Sequence, residues 1–437
     1  MAARPALAID DTPSFARALR NATWLLGGKG AGGLLSLAYL ALAARGLGLV
    51  EFGIFATIQA YSQAFANLVS FQSWQAVVRF GMPHIASHRR TRLARVLRFT
   101  ATADLAAASA GILAALGGLV WAGPAMGWAD DTQRLAGLFL LSLLLAQRGT
   151  PLGLLRMAGR FDHAALAEVS LPVFRLIGAV IAYLSEGGVG AFLLAWMLAE
   201  AGCSLMVWGA AWLMFRGLPE TPEAGLAPWS VLVENPGLLR FLFATSAAAS
   251  VGLVWQQLPT LAVGLFSGPA GAGIYRLAAQ LGTALTKPVT ALARALFPEL
   301  VIAVRGGSPA ALRPMLARIV GGTAACGLIA LLAVAFAGKA ALGLIGGAPY
   351  VDAYPVLLLL TTASAVTLAG FGLEPTLVAA GRPWTAFTAR SLATGCYLGL
   401  IFALVPRFGA EGMGWAAIVG SLLSTLFLHF AFLRVAR

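Results

Sequence analysis

The chain has 437 residues, of which 59% are hydrophobic and only 11% are charged. Soluble globular proteins contain about 45–50% apolar and about 25% charged residues, so this composition excludes a soluble protein, and its hydrophobicity excludes a disordered one. The formal net charge is +13. In a soluble protein that charge would suggest a nucleic-acid partner, whereas in a membrane protein its meaning depends on where the basic residues lie.

Long apolar segments predict about twelve transmembrane helices. Each segment reaches the ~20 residues that cross ~30 Å of hydrocarbon, and the runs are too long for the alternating ~10-residue strands of a membrane barrel. The predicted spans are 22–44, 52–71, 99–121, 135–155, 165–184, 188–214, 240–265, 272–302, 319–338, 353–378, 385–404 and 411–433. We therefore predict an all-α integral membrane protein.

The basic residues between these spans lie mostly on one side. With a cytoplasmic N-terminus, 20 of the 30 Lys and Arg residues fall in inner tails and loops, and 4 fall in outer loops. The positive-inside rule then places both termini of this multi-pass membrane protein in the cytoplasm. This bias explains most of the net charge without nucleic acid. The five arginines of the loop 89–98 are interpreted as an anchor on anionic lipid.

Weak internal matches indicate a repeat. Phe52-Gly53-Ile54-Phe55 is similar to Ala272-Gly273-Ile274-Tyr275, and Ala158-Gly159-Arg160 recurs as Ala380-Gly381-Arg382. Six spans in each repeat give both halves the same orientation, which predicts two six-helix bundles around a central cleft. The expected divisions are a cytoplasmic tail (1–21), an N-terminal bundle (22–214), a cytoplasmic linker (215–239) and a C-terminal bundle (240–437).

Six cations fall within the predicted spans, and we take them as candidate substrate-binding residues. A charge at the bilayer centre costs about 2.5–3.5 kcal/mol, so these side chains must reach the interface, pair, or line water. The six are Lys29, Arg148, Arg175, Arg276, Lys287 and Arg294. The last three share the eighth span, and their spacing puts them close to one line of that helix. This arrangement favours a basic ladder facing the cleft over end residues that reach opposite interfaces.

The intramembrane acids are fewer, namely Asp104, Glu200 and Glu374. Glu200 could pair with a cation or take up a proton during transport, and Glu200 and Glu374 are the candidates for ion coupling. Because cations outnumber acids, the cleft is expected to bind an anion such as phosphate or pyrophosphate. The three cysteines, Cys203, Cys326 and Cys396, lie far apart in apolar runs, so neither a disulfide nor a metal site is expected. No cofactor is expected.

Several short motifs resemble those of a known family of bacterial exporters. They are Leu26-Gly27-Gly28-Lys29, Ala44-Arg45-Gly46-Leu47-Gly48, Glu51-Phe52-Gly53-Ile54-Phe55, Val78-Arg79-Phe80, Met157-Ala158-Gly159-Arg160-Phe161 and Ala272-Gly273-Ile274-Tyr275. Together they resemble the Wzx-type polysaccharide and O-antigen flippases of the multidrug/oligosaccharidyl-lipid/polysaccharide (MOP) exporter superfamily.

This resemblance implies a flippase that moves an undecaprenyl-pyrophosphate-linked oligosaccharide from the cytoplasmic to the periplasmic leaflet by alternating access. It implies membrane lipids, a glycan polymerase and export proteins as partners, in O-antigen or exopolysaccharide synthesis. An ion-coupled multidrug exporter of the same superfamily is the main alternative, although Lys29 and Arg175 argue against a cationic substrate. A membrane enzyme of polysaccharide assembly is the other alternative, and the short outer loops argue against it.

Overall fold

A computed structural model describes residues 15–159, 161–219, 230–251, 254–295, 309–379 and 382–435. Within these ranges the chain is almost entirely helical and contains no strand. The helices are α1 (Phe15–Val69), α2 (Ser73–Ala86), α3 (Arg90–Ala125), α4 (Asp130–Phe139), α5 (Ser142–Leu145), α6 (Gly149–Met157), α7 (Phe161–Leu184), α8 (Gly188–Arg216), α9 (Ser230–Glu234), α10 (Leu238–Val251), α11 (Val254–Ala295), α12 (Pro309–Gly346), a 3-10 turn (Ala348–Ala353), α13 (Tyr354–Ala369), α14 (Leu373–Ala379) and α15 (Pro383–Val435).

Helix α1 reverses direction at Gly48. The glycine adopts φ 70° and ψ −174°, a left-handed conformation that glycine accepts without a steric cost. Tyr39 and Phe55 would lie about 24 Å apart in a straight helix. Their ring centroids instead lie 4.9 Å and 5.0 Å from that of Trp196, so the two arms of α1 run side by side as two spans.

The same reversal recurs in α11, at Gly268, with φ 70° and ψ −176°. Gly48 and Gly268 are separated by 220 positions, the offset of the repeat that the sequence predicts between 52–55 and 272–275. A third reversal occurs in α15 at Gly409, where Gly412 packs directly on the carbonyl of Leu404. Three of the helices therefore supply two spans each.

With these reversals, described helices occupy the positions of all twelve predicted spans, and the predicted all-α membrane fold is confirmed. Seven described segments are long and apolar enough to cross a membrane, and the longest two, 32–86 and 384–434, each contain a reversal. Three spans differ from prediction. The fourth is broken into α4, α5 and α6, the second continues past a break at 70–72 into α2, and the tenth is broken at 370–372 into α13 and α14. The predicted domain bounds remain predictions.

The reversals at Gly48 and Gly268 meet at one end of the molecule. A side chain on Gly53 would collide with the backbone of Pro269, and a Cβ on Gly273 would lie 2.7 Å from the carbonyl oxygen of Leu49. Only the absence of a Cβ lets the backbones approach so closely. We call this end, with the contact of α1 and α11 around Gly53 and Gly273, the closed end.

Hydrogen bonds across long sequence distances reinforce the closed end. The Tyr350 hydroxyl donates to the carbonyl of Gly48 at 3.2 Å, and Arg45 Nε donates to the carbonyl of Ile345 at 3.2 Å. Tyr350 is 1% exposed. These bonds join the first reversal to the end of α12 and to the 3-10 turn that follows it, so the predicted halves are held together here.

A second set of contacts joins the predicted linker and the start of the predicted second half to α2 and α3. Arg95 and Glu234 form an ion pair at 2.7 Å, with side chains only 9% and 10% exposed. His84 Nε2 lies 3.2 Å from Asn235 Oδ1, and the Arg79 guanidinium lies 4.7 Å from the ring centroid of Phe241. The described part of the predicted linker is thus anchored to the first half.

The closed end predicts a sharp difference between two glycines of α1. Gly53→Ala should destabilise the protein, since overpacking costs about 1–3 kcal/mol and the group displaced is backbone. Gly33→Ala is the matched control, because a Cβ there meets nothing within 4 Å. The melting temperature in detergent should fall for Gly53→Ala only. Equal melting temperatures for the two variants would contradict the close contact.

Candidate functional site

A buried carboxylate in α8 bridges two arginines. Glu200 is 6% exposed. Its Oε2 accepts a hydrogen bond from Arg148 Nη1 at 2.7 Å, and its Oε1 accepts one from Arg175 Nη2 at 2.7 Å. The two arginine side chains are 18% and 20% exposed. Two cations share one anion, so this group carries an excess positive charge inside the fold.

The break in the fourth span positions Arg148, which immediately precedes α6. In hydrocarbon the backbone carbonyls freed by such a break need internal donors. Helix α8 supplies them: Ser204 Oγ donates to the carbonyl of Leu145, and Trp208 Nε1 donates to that of Gln147 at 3.0 Å. The helix that carries Glu200 therefore also holds the irregular backbone leading to Arg148.

Two aromatic side chains surround Arg175. Its guanidinium carbon lies 5.6 Å from the ring centroid of Trp196 and 5.9 Å from that of Tyr39, within the range of cation–π attraction. Its Nη1 also donates to the Tyr39 hydroxyl at 3.4 Å. The Tyr39 and Trp196 rings meet edge to face. These contacts fix the orientation of Arg175 without neutralising its charge.

Arg276 brings a third cation to this site from the predicted second half. It follows the reversal at Gly268 and interacts electrostatically with Tyr39, Tyr275 and Arg175. The Nε atoms of Arg175 and Arg276 are both buried and have no hydrogen-bond partner. A buried donor without an acceptor is costly, so both atoms are suited to an anionic ligand. We call Arg148, Arg175, Arg276, Glu200 and Tyr39 the basic cluster.

The structure brings together three of the six cations predicted from the sequence, Arg148, Arg175 and Arg276. The side chains of Lys29, Lys287 and Arg294 lie outside the part of the chain that the structure describes, and the basic ladder on the eighth span remains a prediction. Glu200 pairs with Arg148 and Arg175, and its predicted role in ion coupling remains a prediction.

Glu374 does not enter the cluster through any described contact. Glu374 is the second residue of α14 and pairs with Arg390 of α15; the two side chains are 39% and 51% exposed, respectively. Its predicted role in ion coupling is untested. Among the described residues, no group of three His, Cys, Asp or Glu side chains could hold a metal ion, and no disulfide joins any two of the three cysteines.

Tyr39 and Trp196 are the site residues that sequence reasoning missed. Aromatic residues are common in apolar helices, and nothing in their spacing distinguishes these two from lipid-facing ones. One sequence signal could have identified Tyr39, because the reversal at Gly48 makes the residues before it neighbours of those after it. The sequence alone does not distinguish a tight reversal at Gly46-Leu47-Gly48 from a longer loop.

The bridging carboxylate predicts a large stability difference between two glutamates. Glu200→Gln leaves two buried arginines without their anion, and breaking a buried pair typically costs about 3–5 kcal/mol. Glu374→Gln is the matched control, because an exposed pair contributes about 0–1 kcal/mol. Thermal unfolding in detergent should separate the two variants clearly.

The same measurement on the double variant Glu200→Gln/Arg148→Gln should recover part of the loss, because it removes one uncompensated cation. If Glu200→Gln were no less stable than Glu374→Gln, Glu200 would not hold the cluster together.

Comparisons with known proteins agree with this architecture. Over 290 residues the chain is 27% identical to the inner membrane protein YghQ of Escherichia coli (strain K12), and the alignment covers 66% of this chain and 81% of that protein. No protein-family model matches the chain.

Solved structures give the fold. The lipid II flippase MurJ in an inward closed conformation matches with a TM-score of 0.70 at 14% identity, over 97% of this chain and 90% of that one. A multidrug resistance MATE family transporter of the MOP superfamily, in an inward-facing conformation, matches with a TM-score of 0.68 at 17% identity, over 94% of each chain. The chain therefore has the fold shared by MOP-superfamily transporters and the lipid II flippase.

Proposed function

We propose that this protein is a flippase that moves an anionic lipid-linked oligosaccharide, carried on undecaprenyl pyrophosphate, from the cytoplasmic to the periplasmic leaflet of the inner membrane. The observation that carries this proposal is the excess positive charge of the basic cluster. Two arginines share one glutamate, and Arg276 adds a third cation that interacts electrostatically with Arg175 and Tyr39. Arg175 and Arg276 also have unpartnered buried Nε donors. A pyrophosphate supplies the negative charge and the acceptors that these groups need.

The charge of the cluster distinguishes this proposal from the main alternative, an ion-coupled multidrug exporter. The likeness to a multidrug transporter supports that alternative at the level of the fold. A cationic drug, however, would face unscreened repulsion from Arg175 and Arg276 inside a low-dielectric site. Glu200 offers little compensation, since both of its oxygens already accept hydrogen bonds from arginines.

The cluster also suggests how binding and conformational change are linked. Arg148 and Arg175 belong to the predicted first half, and Arg276 belongs to the second. Without ligand, Arg175 and Arg276 repel each other across the boundary between the halves. A pyrophosphate between them would replace that repulsion by attraction, and so would favour one arrangement of the halves over another.

The geometry of a lipid-linked substrate fits alternating access between two bundles. The charged pyrophosphate and the sugars would enter the cleft, whereas the prenyl tail would stay in the bilayer because exposing it costs about 0.8 kcal/mol per CH₂. Completed glycans would then reach a periplasmic polymerase and the export proteins that the resemblance implies.

The proposed orientation places both termini in the cytoplasm, which thiol labelling can check. In a background with Cys203, Cys326 and Cys396 replaced by alanine, Asp131→Cys should react with a membrane-impermeant maleimide in intact spheroplasts. Ser87→Cys, in the loop before α3, is the matched control and should react only after permeabilisation. Both sites are solvent-exposed, so a reversed labelling pattern would mean the opposite orientation.

The function itself is tested by replacing Arg276 in the native host. Arg276→Gln should reduce transport at least tenfold because it removes the second half's described contribution to anion binding, and completed glycan-lipid should collect on the cytoplasmic face. The measurement is extraction of polyprenyl-pyrophosphate glycans with their sidedness determined, and the mass identifies the glycan. Arg390→Gln, which removes an exposed arginine paired with Glu374, is the control and should transport normally.

Two outcomes would contradict the flippase. Unchanged glycan-lipids after depletion of the protein, together with drug accumulation, would indicate the multidrug exporter. Short unpolymerised glycans on the outer face would indicate an enzyme of polysaccharide assembly.

A further inference from the structure

A buried carboxylate in α3 lies apart from the arginines of the basic cluster. Asp104 is 4% exposed. Its Oδ1 accepts a hydrogen bond from Ser73 Oγ, and its Oδ2 accepts one from Thr150 Oγ1 at 3.0 Å. Both of these donors are neutral, so the described partners of Asp104 supply no compensating cation.

The charged and titratable groups on the surrounding helices are engaged elsewhere or exposed. Helices α1, α2, α4, α5, α6 and α9 contact α3. The charged and titratable groups whose side chains the structure describes on these elements are Tyr39, Arg45, Glu51 and Tyr61 on α1, Arg79 and His84 on α2, Asp130, Asp131 and Arg134 on α4, Arg148 and Arg156 beside and on α6, Glu234 on α9, and Arg90, Arg92, Arg95 and Arg98 on α3 itself. Arg95 pairs with Glu234, Arg148 pairs with Glu200, and Arg156 lies over the Trp74 ring. On its own helix the nearest of them along the axis, Arg98, is exposed and about 9 Å away.

The hydroxyl groups around Asp104 form a hydrogen-bonded chain that is compatible with both the ionised and the protonated carboxyl group of Asp104. Thr150 Oγ1 lies 3.0 Å from Asp104 Oδ2 and also 3.0 Å from Thr100 Oγ1. Thr100 Oγ1 lies 3.0 Å from the carbonyl oxygen of Val96, to which it donates. A threonine hydroxyl has one proton to donate and can accept at the same time, so Thr150 can donate toward either neighbour.

In the ionised state, Thr150 donates to Asp104 Oδ2 and Thr100 donates to Val96. When Oδ2 takes up a proton, its new O–H donates to Thr150 Oγ1, Thr150 turns its own proton to Thr100, and Thr100 continues to donate to Val96. Ser73 donates to Oδ1 in both states. Every polar hydrogen has an acceptor with and without the added proton, and no side chain needs to move between states.

The same geometry disfavours a metal cation in this place. The packing around the carboxylate is close, since a Cβ on Gly149 would lie 3.2 Å from the Cβ of Ser73 and 3.5 Å from Asp104 Oδ2. A proton requires no such space.

Asp104 connects two breaks in the helices to each other. Ser73 is the first residue of α2, after the break at 70–72, and Thr150 is the second residue of α6. The helix dipole stabilises an ionised carboxylate at a helix N-terminus. Adding a proton to Asp104 therefore weakens the electrostatic attraction between its carboxyl group and the N-termini of α2 and α6. Arg148, which forms an ion pair with Glu200, lies two residues before Thr150.

We propose that Asp104 is a reversible proton-binding site, and that its proton is exchanged during transport and sets the position of Arg148 in the basic cluster. The proton binding stands on the hydroxyl chain alone. The coupling rests on the proposed transport function, and the two parts are tested separately.

Proton binding is tested by infrared titration of the purified protein in lipid nanodiscs. The wild type should show a carboxylic-acid C=O band that disappears as pH rises. Asp104→Asn should lack this band, and Glu374→Gln, an exposed acid, should keep it. Thr150→Val should alter the band by removing the hydroxyl that receives the proton, whereas Thr150→Ser should restore it. A band unchanged by Asp104→Asn and by Thr150→Val would overturn the proposal.

Coupling is tested by measuring glycan-lipid transport in vesicles at acidic and neutral pH. Asp104→Asn imitates the protonated acid, so its transport should lose the pH dependence of the wild type, while Thr150→Ser should keep it. Wild-type pH dependence in Asp104→Asn would overturn the coupling. If the wild type moved no glycan-lipid, the proposed function would fail, and the infrared titration would still decide whether Asp104 binds a proton.

Discussion

Inside a membrane protein a buried charge can be stabilised only by other groups of the protein, and in this molecule one carboxylate meets that need for two arginines. Glu200 accepts from Arg148 and Arg175 with equal 2.7 Å contacts. It therefore connects the broken fourth span, the fifth span and the sixth span. Much of the polar structure of the predicted first half depends on this link, because without it two guanidinium groups would lie in a low-dielectric interior with no anion.

The helix breaks follow from the same constraint. A broken helix exposes carbonyl and N–H groups that hydrocarbon cannot satisfy, and α8 supplies donors to the break before Arg148 through Ser204 and Trp208. On the other side of this break, Asp104 accepts a hydrogen bond from the hydroxyl of Thr150, in the first turn of α6. Side chains of neighbouring helices therefore form hydrogen bonds to the chain on both sides of this break. Such a polar environment inside the membrane can accommodate a functional charged group such as Arg148.

The closed end and the basic cluster belong to one arrangement of the halves. Gly53 and Gly273 bring α1 and α11 into backbone contact, and the same two helices carry Tyr39 and Arg276 to the cluster. Separating the helices at the closed end would also separate Arg276 from Tyr39 and Arg175. A ligand that neutralises the cluster is thus positioned to influence whether that end stays closed.

The sequence by itself determined the membrane class, the positions of the spans and the excess of intramembrane cations, because hydrocarbon imposes length and apolarity on each helix independently of its neighbours. It also indicated the repeat, since the 220-position offset reappears in the paired reversals at Gly48 and Gly268. It did not determine which cations meet, that Glu200 serves two of them, or that Tyr39 and Trp196 line Arg175. Those contacts join residues up to 237 positions apart, as between Tyr39 and Arg276, and only the packing of the helices against one another decides which faces adjoin.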